Sequence, residues 1–308
     1  MIIVTRDTSA LTCTAVRSVF ESVDSLTKQV VVVDNGSKDD TPLVLPRDFP
    51  AMKYIRSETN LGFSRANNLG ARVANGEFFL LLNSDARLKP DSLDLALSWM
   101  RKHPECGIAG GQLLNSDGSA QNSIANFPSL ATELLNKSLL RRLFPRRFPG
   151  KEQHYPEPVE VESLIGAFML VRAAVWTAIG GLDERYFFFL EETDFCLEAR
   201  RRGWKVFHLP NVYIWHGQGK SVSSMPAAAR IEYWRSRYVY FRKHHNRFTQ
   251  TALVAGLGFR LLLGWLGNFV ALAVCLGMNA RVWHKFRLQT ALLKWHLRGR
   301  PAECGLPR

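Results

Sequence analysis

Short, β-branched apolar runs separated by helical stretches constrain the N-terminal third of this chain more than any other feature. Ile2–Thr5, Gln29–Val33 and Phe78–Leu82 read as strands, while Ser9–Ser25 and Ser64–Ala74 between them read as helices. Strand–helix alternation builds βαβ units, and βαβ units build a mainly parallel sheet buried on both faces. The expected fold class is therefore α/β. Open sheets of this kind bind ligands beyond the carboxyl ends of their strands, and Asp34 and Asp85 fall just past two such ends.

The pattern continues with less regularity. Leu88-Lys89-Pro90-Asp91 opens a helix, with Pro90 suited to the first turn. Phe144–Pro158, rich in Pro, Arg and Lys, reads as a crossing loop. Gly166–Val171 reads as another apolar strand. A short helix beginning near Glu192 ends in Arg200-Arg201-Arg202-Gly203, the cations and glycine that a helix C-terminus favours. A length of 308 residues suits about two domains, and five scattered cysteines show no ligand spacing, so reduced thiols in a cytosolic setting are expected. The opening strand carries no basic start or apolar signal core, which predicts no cleaved secretory signal.

Polar residues cluster where a phosphorylated ligand would meet such a sheet. Asp34-Asn35-Gly36-Ser37 closes a strand, although these residue types also make ordinary turns. Asn60-Leu61-Gly62-Phe63-Ser64 reads as a loop entering a helix, whose N-terminal N–H groups attract phosphate; Asn60 and Gly62 suit shaping of the loop more than direct contact. Asn83-Ser84-Asp85 closes the third strand, where an Asp is often merely a turn residue. Glu191-Glu192-Thr193-Asp194 gathers three carboxylates within four residues. Close carboxylates raise one another's pKa, which suits a base working near neutrality, and an acidic helix start is also favoured by the helix dipole. His216 follows the aromatic run Val212–Trp215 and opens His-x-x-Gly-x-Ser.

In this order the motifs resemble those of the family 2 inverting glycosyltransferases, most closely the rhamnosyltransferase-like branch, over roughly Met1 to Ser224. The resemblance implies a GT-A fold (a Rossmann-like, mainly parallel sheet flanked by helices) and a catalytic domain over residues 1–224. It implies that Asp34 and Asn35 contact the base or ribose of a nucleoside-diphosphate sugar, with Asn60, Gly62 and Asn83 completing the donor site and Lys220 neutralising phosphate. Asp85 and His216 would hold Mg²⁺ or Mn²⁺, Glu192 would be the general base and Asp194 its orienter, with Glu191 the alternative base. Three motifs depart from the family pattern: Asn83 stands at the first acidic position of the metal motif, Glu192 is one methylene longer than the usual Asp, and Thr5-Arg6-Asp7 replaces Thr-Tyr-Asn. The implied reaction is transfer of a sugar, with thymidine diphosphate-rhamnose (dTDP-rhamnose) the first candidate donor, to a glycan or polyprenyl-linked acceptor. A catalytically inactive nucleotide-sugar-binding module is the alternative.

The tail differs in kind. Residues 230–308 carry 14 Lys/Arg against Glu232 and Glu303, so +12 of the net +13 lies there. Nucleic acid is excluded as the expected partner, because its footprint would spread over the folded domain. Ala227–Asn246 reads as an aromatic, basic helix, Leu261–Met278 as an apolar stretch at the lower length limit for a bilayer span, and Arg281–Arg298 as a basic amphipathic helix. With cations on both flanks, a peripheral or re-entrant attachment to the inner face of the membrane is expected over a single crossing. A buried core helix or a homo-oligomer contact is the alternative for residues 225–308.

Overall fold

The computed structural model describes residues 1–23, 26–145, 147–148, 155–217 and 225–308. In chain order the first elements are β1 (Ile2–Thr5), α1 (Ser9–Phe20), β2 (Val31–Asn35), α2 (Thr41–Asp48), β3 (Lys53–Ser57), α3 (Phe63–Ala71), β4 (Phe78–Asn83), β5 (Ala86–Leu88), α4 (Ser92–Lys102) and β6 (Cys106–Leu114). They are followed by β7 (Ile124–Ala125), α5 (Leu130–Leu134), α6 (Lys137–Leu143), β8 (Val159–Glu160), β9 (Ser163–Leu164), β10 (Phe168–Arg172), α7 (Ala173–Ile179), α8 (Glu191–Arg201) and β11 (Lys205–His216). Three helices end the chain: α9 (Pro226–His244), α10 (Arg247–Val274) and α11 (Ala280–Leu297). The chain divides into two compact units, one of Met1–Phe127, Arg146–Ser221 and Arg308, the other of Pro128–Pro145 and Val222–Pro307.

The first unit is built on one sheet in the order β3-β2-β1-β4-β10-β6-β11-β5, with β8 also paired to β11. β3, β2, β1 and β4 are parallel, and β10 enters antiparallel between β4 and β6. Side chains alternate across the sheet as a two-residue period requires. Ile3, Val32, Leu80, Leu82, Phe168 and Leu170 pack with Val16, Leu45 and Met100 on one face, and Ile2, Leu81, Met169 and Val171 pack with Trp176, Phe195 and Cys196 on the other. Each fully buried side chain of this size contributes about 1.5–3 kcal/mol.

Because β1 pairs with β2 on one side and β4 on the other, the strand order reverses there, and it is beyond the carboxyl ends at such a point that open sheets bind ligands. Thr5 lies opposite Asp34, and Val4 opposite Asn83. Two strand spacings therefore separate the two polar positions, about 10 Å. Some boundaries move. β1 and β3 both pair with Asp34, and β3 extends the ladder to Asn35, so Asp34 lies within the strand instead of just past it. The helix expected over Ser9–Ser25 stops at Phe20, and that expected over Ser64–Ala74 stops at Ala71; Ser25 is outside the described residues.

The second unit is helical. α10 and α11 form a hairpin in which the Trp265 indole donates to Thr290 Oγ1 at 2.9 Å and the Asn268 amide donates to Gln289 Oε1 at 2.9 Å. The 28 residues of α10 span about 42 Å. In its most apolar 18-residue window only 11% of residues are buried, so α10 is not a core helix of this unit.

Candidate active site

Asp34 is fully buried at the end of β2. Its Oδ1 accepts the Ser37 N–H at 2.9 Å, its Oδ2 accepts the Tyr54 hydroxyl at 2.6 Å, and Arg56 Nε stands 3.9 Å away. Burial and the bond to Asp34 hold the Tyr54 phenol well above its ordinary pKa, so the phenol remains a donor. Asn35 binds the next loop: its Nδ2 donates to Asn60 Oδ1 at 2.8 Å and to Gly62 O at 3.2 Å, and its Oδ1 accepts the Leu61 N–H at 2.7 Å. Gly62 adopts φ +81°, and a Cβ there would sit 2.5 Å from Phe187 O. Only glycine fits. The neighbouring Phe63 N–H donates to the same Phe187 carbonyl at 2.7 Å, so this loop is fastened to the segment that precedes α8.

Asn83, Asp85 and His216 converge. β11 pairs with β5, placing His216 opposite Ala86. His216 Nε2 lies 3.5 Å from Asp85 Oδ1 and 3.5 Å from Asn83 Nδ2. The far side of the ring is set by Gln121, a residue that sequence reasoning passed over because nothing near it carries a recognisable spacing. Gln121 Nε2 donates to the carbonyls of His216 (2.7 Å) and Leu114 (3.3 Å), which leaves Oε1 as the acceptor for His216 Nδ1 at 3.1 Å. Nδ1 therefore carries the proton, and Nε2 presents its lone pair toward Asp85. Burial lowers the pKa of His216, against an opposing pull from Asp85, which keeps the ring neutral and able to ligate. One carboxylate and one oriented imidazole fit a divalent ion whose other ligands come from a diphosphate and water. Among the described residues no group of three His, Cys, Asp or Glu side chains suits a metal. Among those residues, Asp85 and His216 are the pair that stands together at such a site.

The acidic cluster opens α8. Glu191 and Asp194 are buried and Glu192 half-buried, all in the first turn, where the helix dipole favours negative charge. The two residues before it, Phe189 (φ +73°) and Leu190 (φ +68°), are both left-handed. Each such non-glycine residue costs on the order of 1–3 kcal/mol, and such strain gathers at functional sites. Asp194 Oδ1 accepts the Tyr186 hydroxyl at 3.0 Å, and its N–H donates to Leu190 O at 2.9 Å, so Asp194 fastens the strained turn. Glu192 rests against Gly166, where a Cβ would lie 3.4 Å from its own Cβ. Its Oε2 is buried with no hydrogen-bond partner. Burial raises the carboxyl to about 7, opposed by the backbone N–H groups of residues 192 and 193. The next residue, Ala167, accepts the Asn83 N–H at 3.1 Å, so the backbone at 166–167 links the carboxylate to the Asn83–Asp85–His216 group.

The departure at Arg6-Asp7 also acquires a role. Asp7 N–H donates to Ser37 Oγ at 3.0 Å, Asp7 Oδ1 accepts the Lys38 N–H at 2.6 Å, and Thr8 Oγ1 donates to Ser84 Oγ at 3.2 Å. The loop after β1 thus ties the loops after β2 and β4 together. Lys220, with Gly219 and Ser221 of the same motif, lies outside the described residues.

A doubly flanked α/β sheet with acidic and amide groups along the carboxyl ends of β2 and β4, and a carboxylate cluster opening a later helix, has the GT-A architecture. Residues 1–175 match the model of Glycosyl transferase family 2, and the chain belongs to that family. The N-acetylglucosaminyl-diphospho-decaprenol L-rhamnosyltransferase of Mycobacterium tuberculosis (strain ATCC 25618 / H37Rv) is 27% identical over 239 residues, 73% of this chain and 78% of that protein. The rhamnosyltransferase WbbL of Escherichia coli (strain K12) is 24% identical over 213 residues, 65% of this chain and 78% of its own length. Among solved structures, a mannosyltransferase from Pyrobaculum calidifontis in complex with GDP-Man and Mn²⁺ superposes with a TM-score of 0.52 at 15% identity, over 96% of this chain and 85% of that one, which bears on the fold alone.

Proposed function

We propose that the chain is an inverting glycosyltransferase that moves a sugar, with rhamnose from dTDP-rhamnose the first candidate, from a nucleoside-diphosphate donor to a hydroxyl of a glycan on a polyprenyl carrier, in surface polysaccharide synthesis. Family membership supports the reaction class, and the activities of the relatives support the sugar and the lipid-linked acceptor. The observation that carries the mechanism is the carboxylate of Glu192, raised to about 7 and linked through residues 166–167 to the Asn83–Asp85–His216 group.

Glu192 takes the proton of the acceptor hydroxyl as that oxygen attacks the anomeric carbon. The bond from the anomeric carbon to the diphosphate oxygen breaks on the opposite face, and the nucleoside diphosphate leaves with the electron pair. Configuration inverts in one displacement. A base with a pKa near the working pH combines an adequate ionised fraction with a real drive to accept a proton. Asp34, fixed by Ser37, Tyr54 and Arg56, receives the nucleoside, while the Asn35–Asn60–Gly62 loop shapes the donor site. Asp85 and His216 would hold Mg²⁺ or Mn²⁺, which when bound neutralises charge on the departing diphosphate. Asp194 positions the turn that carries Glu192, and Glu191 is the alternative base.

The test is a donor-hydrolysis and transfer screen across nucleotide sugars with Mg²⁺, Mn²⁺ or EDTA, with polyprenyl-linked acceptors supplied. Metal-dependent release of one nucleoside diphosphate is expected, largest with the deoxythymidine donor. Folded protein that binds a nucleotide sugar yet releases no diphosphate with any acceptor would convert the reading to a binding module.

A further inference from the structure

The helical unit holds a feature that donor chemistry leaves unused. A cavity of about 520 Å³, within the range of roughly 300–1,000 Å³ that holds small ligands, is walled by the α5–α6 turn together with Arg237 of α9 and Arg260 of α10. Three cations (Lys137, Arg237, Arg260) face one carboxylate, Glu133, which leaves a net charge of +2. Arg237 is 7% exposed; its Nε lies 2.9 Å from Glu133 Oε2, while its Nη1 is buried with no hydrogen-bond partner. The guanidinium also lies over the rings of Tyr233 (4.5 Å) and Trp234 (5.3 Å), and its unused nitrogen, in a cavity richer in cations than its one carboxylate can balance, suits a further anion. Arg260 uses Nη1 on the carbonyls of Glu133 (2.7 Å) and Leu134 (3.4 Å), and a guanidinium has five N–H donors in a fork that matches phosphate.

Arg260 also borders a second surface. Phe259, Leu262, Leu263, Leu266, Phe269 and Val270 are all exposed and recur at three- and four-residue intervals, forming one apolar stripe along α10. The adjoining side of the helix is occupied by α11 through Trp265 and Asn268, and Phe269, at the edge of the stripe, also contacts Phe286 of α11. An anion cavity opening at the foot of an exposed apolar stripe, with Arg260 one turn from Leu263 at the junction, is complementary to an amphiphile with an anionic head and a long hydrocarbon chain.

We propose that the cavity and stripe together bind a polyprenyl diphosphate, the diphosphate against Arg237, Arg260 and Lys137 and the isoprenoid along α10. The assignment rests on the reading of the acceptor as lipid-linked, and it names the site that would hold it.

The experiment measures binding of the full chain to phosphatidylcholine vesicles doped with undecaprenyl diphosphate, to vesicles doped with phosphatidylglycerol at equal charge, and to soluble inorganic pyrophosphate. Donor is absent throughout. The diphosphate lipid should bind most tightly. Combined Arg260→Gln and Lys137→Gln should weaken that binding by about ten-fold or more, since each loses a charge-assisted contact. Both side chains are exposed, so folding is preserved and is checked by thermal melting. Arg237→Gln would strand buried Glu133, so it is paired with Glu133→Gln as a second variant, which should weaken binding similarly. Equal binding to the phosphatidylglycerol vesicles, pyrophosphate binding as tight as that of the lipid, or unchanged affinity in both variants overturns the proposal. Donor hydrolysis is followed in parallel. Its absence beside intact lipid binding would count against the glycosyltransfer reading alone, and its presence beside unaffected binding would count against this site alone.

Discussion

Glu192 sits at the junction of two opposing demands. Its helix start favours the anion, while burial against Gly166 favours the acid, and burial wins, lifting the carboxyl from 4.5 to about 7. A carboxyl whose folded pKa is raised binds its proton more tightly in the native state, so the contribution is favourable below pH 4.5 and is lost as pH rises through 7. Glu192→Gln should therefore raise stability at pH 8 by up to about 3 kcal/mol and leave it unchanged at pH 4, as read from urea unfolding at the two pH values. The same variant should lose transfer while keeping donor affinity. Loss of donor affinity in a folded variant would remove the base assignment. Gln121 offers a second test at this scale. Gln121→Met deletes the acceptor that fixes the His216 tautomer, and Mn²⁺ affinity, read by isothermal titration, should fall by about 10- to 100-fold. An unchanged affinity would separate His216 from any metal.

At the scale of elements, the parallel core was legible because buried strands write themselves as β-branched runs. The positions of Asp34 and Asp85 followed from the strand ends, with Asp34 misplaced by one or two residues because ladder partners on both sides extend β2. What remained illegible lies far apart in sequence. Gln121 reaches His216 across 95 residues, and Phe187 reaches Phe63 from another segment, so no local pattern announces either. The strain at Phe189-Leu190 was hidden for a different reason: neither residue type advertises a positive φ. Gly62→Ala should expose this coupling between elements. It forces a Cβ into Phe187 at a φ disfavoured for alanine, and should destabilise the fold by more than about 1 kcal/mol while weakening donor binding, because the Asn35-bound loop must shift. Chemical denaturation and nucleotide titration of one preparation read both effects. β11 adds a pH limb of opposite sign to that of Glu192. His208, buried on that strand with Nδ1 unpartnered, has its pKa lowered by burial to about 4, so native stability falls as pH drops from 6.5 toward 4. His208→Phe should flatten that acid limb, as measured by melting temperature between pH 4 and 7.

For the whole molecule the unequal division of charge decides the last question. Residues 230–308 hold 14 Lys/Arg against two Glu, and the same stretch contains the apolar stripe of α10. Charge alone would suit any polyanion, and an apolar face alone would suit a second copy of the chain. Their coincidence on α10 and the helices flanking it suits an anionic bilayer surface, where basic side chains meet headgroups and the stripe enters the acyl boundary. The two contributions respond differently to salt. At 1 M the Debye length shrinks to about 3 Å, so the electrostatic part is screened while apolar burial persists. Flotation with phosphatidylglycerol vesicles should therefore be strong at low salt and reduced, but not abolished, at 1 M. Substituting Leu262, Leu266 and Phe269 by Ser should leave low-salt binding weak and remove the salt-resistant fraction entirely. If the unsubstituted chain fails to float under either condition and sediments as a dimer, while the substituted chain sediments as a monomer, then the stripe is a self-association surface. The basic tail would then need a partner other than lipid.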